Sequence, residues 1–326
     1  MLNELKSFWE SMPVEWLLCA EPFVKYRTLI DLLDKEKKDK EVLSTKRLVQ
    51  KHKLIKKILA KQNREGYWGT PKDIYTWWPK KDTTFWLLGI LADFGLTKEE
   101  EKIKRACEYV FSTQLPGGGF GGGPPFKPYD CFTGILTESL AKLGYGSDPR
   151  LKKAYKWLIP RQRLDGGFWC KNTGQIGAPR EKEPSCAFAT LCVLGALVQN
   201  PALKKSIYSR KGTEFLLRCW ENRGKIKYAG HDSQIGTGWE KLKYPFTDYR
   251  ILKYLEILSQ LESTRYDERM TSIITNVLIP KQDENGRFYA ESVHECWSDF
   301  DFGQKEVPSQ WITLIVYRIL KKIISN

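Results

Sequence analysis

The sequence predicts an all-α fold, an α/α toroid of about six inner and five to six outer helices closed into a barrel. Three observations carry that expectation: a recurring glutamine, glycine and aromatic motif, apolar runs alternating with charged stretches, and a capping residue before most of those runs. The motif reads Gln62-Asn-Arg-Glu-Gly66-Tyr-Trp68, Gln114 to Gly118-Gly-Phe120, Gln162 to Gly166-Gly-Phe168, and Gln282 to Gly286-Arg-Phe288. The spacings are 114 − 62 = 52 and 162 − 114 = 48 residues, while 282 − 162 = 120 leaves space for another copy, worn to Trp220, Gly224 and Ile226. A period of roughly fifty to sixty residues holds one helical hairpin and a long loop.

The elements follow in order. An apolar run opens at Glu21-Pro-Phe-Val, and others begin near Thr83, Cys131, Cys186, Asp248 and Ser309. Asp82, Asp130, Ser185, Thr247 and Ser309 are placed as their N-caps, since a short polar side chain there accepts from the first free backbone N–H groups. Between them lie Lys/Arg/Glu-rich amphipathic stretches such as Ile103–Phe111 and Leu151–Leu158, each running into a motif copy. The more apolar runs belong inside and the amphipathic ones outside. The motif glycine ends the outer helix in a left-handed turn, and the aromatic two residues later folds back on it.

The four intact copies resemble the QW repeat of the prenyltransferase and squalene-cyclase superfamily over about residues 20–320, and the chain is similar to that superfamily's small single-barrel microbial members. The resemblance implies one toroid domain over 1–326 with residues 1–19 as an N-terminal extension. It also implies an apolar, isoprenoid-like ligand and a transferase or cyclase-like lyase activity.

Composition narrows the partners. The 326 residues are 41% hydrophobic and 13% aromatic, which suits a large core and an aromatic-lined cavity. No apolar run reaches the ~20 residues that cross a bilayer, and Met1-Leu-Asn-Glu-Leu-Lys lacks a signal-peptide pattern, so a cytoplasmic protein is expected. The net charge of +14 favours anionic partners, a lipid surface or a diphosphate among them. No zinc-finger, helix-turn-helix or RNA-binding signature accompanies that charge, which argues against nucleic acid. Its densest stretch, Lys46 to Lys61, reads as a solvated helix face or as an anionic-membrane patch. A partner subunit is left open.

All inner-helix N-termini should share one mouth, and candidate site residues collect in the loops there. Trp77, Trp78, Trp169, Trp239 and Trp297 are candidates for an apolar pocket. Cys131 and Cys186 each follow an expected cap, Cys170 lies between them, and His231 lies in the next loop. Three thiolates and an imidazole form a zinc set, structural if all four bind and open to a substrate if one does not. Unpaired core thiols and a disulfide are the competing readings.

In the prenyltransferase β subunits that the chain resembles, Asp, Cys and His bind zinc near inner-helix starts; Asp130 and Cys131 stand at the matching place without the intervening residue. The cyclase branch protonates an alkene with an Asp-x-Asp-Asp aspartate, whose nearest counterpart is Asp299-Phe-Asp301. Asp130, Asp299 and Asp301 are therefore candidate acid–base or diphosphate-side groups. Two alternatives stand beside this reading. One is a non-catalytic scaffold with a structural zinc; the other is a carbohydrate-active barrel using a carboxylate pair from Asp82, Asp130, Glu183, Asp248 and Asp301.

Overall fold

The computed structural model describes residues 2–70, 83–121, 127–169, 183–226, 237–246 and 251–324. These are helical, with isolated bridges at Gln114 and Phe120, Gly121 and Pro128, and Phe168 and Cys186, so the expected all-α class holds. The chain forms two compact units, residues 1–60 with 240–326, and residues 61–239.

The first unit opens with α1 (Leu2–Glu10), α2 (Val14–Leu18), α3 (Pro22–Arg27), α4 (Lys40–Lys51) and α5 (Lys53–Ala60). The second contains α6 (Thr84–Asp93), α7 (Glu101–Ser112), α8 (Asp130–Leu140), α9 (Pro149–Leu158), α10 (Ala187–Leu197), α11 (Pro201–Lys204) and α12 (Ile207–Glu221). The chain returns to the first unit with α13 (Ile251–Leu258), α14 (Glu268–Ile273) and α15 (Gln310–Ile324).

Burial separates two helix types in the second unit. Every residue of α10 is buried, since it carries no charged side chain, and α8 is nearly so, its two acids Asp130 and Glu138 being paired with Arg161 and Lys142. By contrast α7 buries Ile103, Ala106, Cys107, Val110 and Phe111, the spacing of one helical stripe, and exposes its lysines and glutamates. Helices α8 and α10 meet at Gly134, where an added Cβ would come within 2.6 Å of the Cys192 backbone. Any larger residue would push the two inner helices apart.

The repeated motif is a three-way staple. Gln62 Nε2 donates to Gly66 O at 2.8 Å and to Lys102 O of α7 at 2.7 Å. Gln114 does the same to Gly118 O and Arg150 O of α9, and Gln162 to Gly166 O and Tyr208 O of α12. Gly66, Gly118 and Gly166 have positive φ and press on the carbonyls of Arg105, Lys153 and Lys211, one turn further along those helices. The aromatics Trp68, Phe120 and Phe168 are buried, and their N–H groups donate to Thr84, Thr133 and Thr190 Oγ1 at 2.9 Å. Each motif thus ties its own loop to its inner helix and to the following outer helix.

In the first unit the last copy uses the start of the chain instead. Gln282 Nε2 donates to Ser11 Oγ at 2.7 Å and Tyr317 Oη at 2.8 Å, and Gly286 lies against the Ser11 carbonyl. Phe8 stacks on Tyr317, with α1 packed along α15. Residues 1–19 thus include a helix, α1, packed on α15, and directly after it Ser11, which meets this motif copy. A buried network completes this unit: Arg318 contacts Asp31 at 3.1 Å and also Glu256.

Of the expected caps, Ser309 stands directly before α15, its Oγ accepting from Ile312 N at 3.1 Å, whereas Asp130 and Ser185 are each displaced by one residue. Asp82 and Thr247 lie outside the described residues. Tyr129 is the N-cap of α8 and Asp130 its first helical residue, while Cys186 caps α10 with Sγ accepting from Ala189 N at 3.4 Å. The reason is a short bridge before each helix: Phe120 O accepts from Tyr129 N, and Phe168 O accepts from Cys186 N. That bridge holds the cap residue extended until its own carbonyl starts the helix.

Candidate functional site

Asp130 stands at the first position of α8 and is fully buried. Its Oδ1 accepts from Arg161 Nε at 2.6 Å, and the backbone N–H of Trp169 also donates to the carboxylate. Arg161 ends the short turn Ile159–Arg161 after α9, with its guanidinium over the Trp157 ring at 4.2 Å. Asp130 Oδ2 has no hydrogen-bond partner among the described residues. Burial pushes this carboxyl up to about 6, against the opposing pull of Arg161 and the Trp169 N–H. Aromatic residues flank it in sequence: Tyr129 meets Phe132 edge-on at 5.4 Å, and Phe132 meets Phe85 of α6 at 5.0 Å.

The other expected site residues are distributed more widely. Asp301 lies in the turn Asp301–Gly303, where its carboxylate accepts from Ser309 Oγ and Trp311 N, both at 2.9 Å. It anchors the start of α15, and burial raises its pKa. Asp299, two residues earlier, is exposed and lies 3.9 Å from Lys57. Trp297 is fully buried against Phe300 and Phe302, and Trp239 is buried on Trp220. Trp169 is half-buried beneath the Arg163 guanidinium at 4.3 Å. Trp77, Trp78, Cys170, His231 and Asp248 lie outside the described residues.

Cys131 and Cys186 are both buried, but their expected equivalence is corrected. The Phe120–Thr133 and Phe168–Thr190 hydrogen bonds set the register between repeats. Cys131 precedes Thr133 by two residues and Cys186 precedes Thr190 by four, so Cys186 corresponds to Tyr129 instead. Counting from expected caps missed the bridge that shifts them. Among the described residues no three His, Cys, Asp or Glu side chains gather as a metal set.

Sequence reasoning missed Arg161 as the partner of Asp130. A signal was present: a cation directly precedes the motif glutamine at Lys61, Arg161 and Lys281. Lys281 likewise pairs with an acid, Glu291, at 2.7 Å. Also missed was a cleft of ≈ 670 Å³ in the second unit, between residues 162–169 and α12.

A family model described as the squalene-hopene cyclase C-terminal domain matches residues 74–263, which is 263 − 74 + 1 = 190 of the 326 residues. The chain belongs to that family. As a member of the squalene-hopene cyclase C-terminal domain family it has the α/α toroid fold class expected from its repeats.

The alpha-onocerin synthase LCD of Lycopodium clavatum is 28% identical over 185 residues, 52% of this chain and 23% of that protein. The chain therefore spans less than a quarter of this curated relative. Among solved structures, a polysaccharide lyase is 11% identical with a TM-score of 0.51, covering 99% of this chain and 97% of its own, a likeness of fold alone. The type II terpene cyclase MstE from Scytonema, bound to its product merosterolic acid A, is 13% identical with a TM-score of 0.47, covering 99% and 98%. No described helix of this family member is long and apolar enough to cross a membrane.

Proposed function

We propose that the chain binds an apolar, isoprenoid-like ligand near the N-terminus of α8 and that Asp130 protonates it to begin a cyclization. The observation that carries this reading is the buried Asp130 carboxyl with one oxygen held by Arg161 and the other without a hydrogen-bond partner among the described residues. An acid strong enough to protonate an alkene must keep its proton in a dry site and have its carboxylate stabilised once the proton leaves. Burial does the first; Arg161, the Trp169 N–H and the α8 N-terminus do the second. In the step itself the Asp130 Oδ2 proton passes to one carbon of a terminal alkene, whose π pair becomes the new C–H bond. The neighbouring carbon becomes the cation that a more distant alkene attacks. Faces of Phe85, Tyr129 and Phe132 suit that cation, and loss of a proton to water ends the sequence. Membership of a squalene-hopene cyclase domain family supports the substrate class.

The test is incubation with linear polyprenyl substrates, squalene and a geranylgeranyl compound, in deuterated water, with products read by mass spectrometry. Wild-type protein should form a cyclic product carrying one deuterium at the former alkene terminus. Asp130→Asn should lower turnover by about 100-fold or more with its circular dichroism unchanged. Turnover at the wild-type rate in that variant would overturn the assignment.

The zinc set Cys131, Cys170, Cys186 and His231 supports a second proposal, a metal-stapled binding scaffold, with two of its thiols buried in α8 and at the cap of α10. Elemental analysis of chelator-free protein decides it. About one zinc per chain, lost in Cys131→Ser, is the expected result, and less than about 0.1 sinks it.

A further inference from the structure

The cleft beside α12 adjoins the worn fifth motif copy. In the intact copies the glycine is pressed by the next outer helix and the aromatic is buried. At Gly224 nothing described lies within 4 Å of an added Cβ, and Ile226, in the aromatic's place, is 38% exposed. Ile226 lies at one edge of the cleft. Leu164 lies at another and is wholly exposed, an unusual position for leucine in a loop otherwise tied down by Asp165. Asp165 itself is satisfied: it accepts from Gly167 N, Ser185 N and Ser185 Oγ. Between these edges Trp169 and Phe215 supply aromatic surface.

Two cations line the cleft: Arg163, engaged over the Trp169 ring and with Ser185 Oγ at 3.2 Å, and Arg218. Arg218 of α12 is exposed, and its Nη2 donates to the Asp165 carbonyl at 2.7 Å, which holds the guanidinium against the cleft. Glu183 also lines the cleft. A space of ≈ 670 Å³ is in the range of small-molecule sites.

We infer that this cleft binds a free amphiphile with one anionic end, its apolar body on Leu164, Trp169, Phe215 and Ile226 and its carboxylate at Arg218. The site is separate from the Asp130 proposal and stands whether or not that reaction occurs.

Calorimetric titration with dodecanoate below its micellar concentration tests it, with dodecan-1-ol and acetate as single-feature probes. Dodecanoate should bind the wild type more tightly than dodecan-1-ol, and acetate should not bind. Arg218→Gln should weaken dodecanoate about tenfold while leaving dodecan-1-ol unchanged. Leu164→Asp, at a fully exposed position, should weaken both. Arg210→Gln, on α12 outside the cleft, should weaken neither, and Asp130→Asn should retain binding. No dodecanoate binding at 1 mM, unchanged affinity in Leu164→Asp, or equal losses in Arg218→Gln and Arg210→Gln would each overturn the inference.

Discussion

Arg161 Nε lies 2.6 Å from Asp130 Oδ1, joining the turn after one outer helix to the start of an inner helix. The pair is asymmetric: Asp130 is fully buried and Arg161 about a quarter exposed. Such geometry stabilises the carboxylate without removing the cost of burying it, so the carboxyl still titrates high, at about 6.

The first prediction concerns pH. The Asp130 pKa is raised on folding from 3.8 to about 6, so its protonated form contributes stability that is fully present below pH 3.8 and lost as pH rises to about 6. Wild-type protein should lose roughly 2–3 kcal/mol relative to Asp130→Asn across that window. Urea unfolding of both proteins at pH 3.5, 5 and 7 measures it, and parallel profiles would contradict the assignment. For the proposed reaction, kcat/KM should fall as pH climbs through about 6, where the acid loses its proton.

Removing the partner should act mainly on the ionised form. Arg161→Leu should raise the Asp130 pKa further, since Arg161 is the main group that lowers it, ahead of the Trp169 N–H. At pH 8 the variant should lose about 3 kcal/mol, because a buried carboxylate is left uncompensated. At pH 4.5 the loss should be much smaller. Denaturation midpoints at the two pH values separate this from a simple packing defect, which would cost the same at both.

Glycine substitutions should report which motif copies are engaged. Gly166→Ala places a Cβ against the Lys211 carbonyl at a φ of +90° and should cost more than about 3 kcal/mol. Gly224→Ala has a φ of +78° but no neighbour within 4 Å among the described residues, so it should cost only the left-handed penalty of about 1–2 kcal/mol. Thermal unfolding of the two variants compares them directly; equal shifts would refute the distinction.

The glutamine staple should be worth more than an exposed polar residue. Gln162→Ala leaves the Gly166 and Tyr208 carbonyls without that donor and should cost about 1–3 kcal/mol. Gln199→Ala, where the side chain makes one long bond of 3.4 Å to Gly195 O, is the comparison and should cost under about 1 kcal/mol.

The sequence by itself determined the helical class, the repeat and the sorting of helices into buried and amphipathic kinds. Those are properties of local periodicity and of a seven-residue motif that recurs along the chain, although most of its hydrogen-bond partners lie in other helices. It also identified Asp130 as a residue at a helix start. What it left open were relationships across repeats. Arg161 is thirty-one positions from Asp130, and only the folding of α9 back against α8 brings their charges together. The register separating Cys131 from Cys186 depended on a backbone bridge invisible to residue counting. The role of Asp301 as the anchor of α15 depended on Ser309 and Trp311. Burial raises the pKa of Asp130, as it does that of Asp301, and burial is a property of the assembled helices, so only the tertiary structure shows which aspartates hold their protons more tightly than usual.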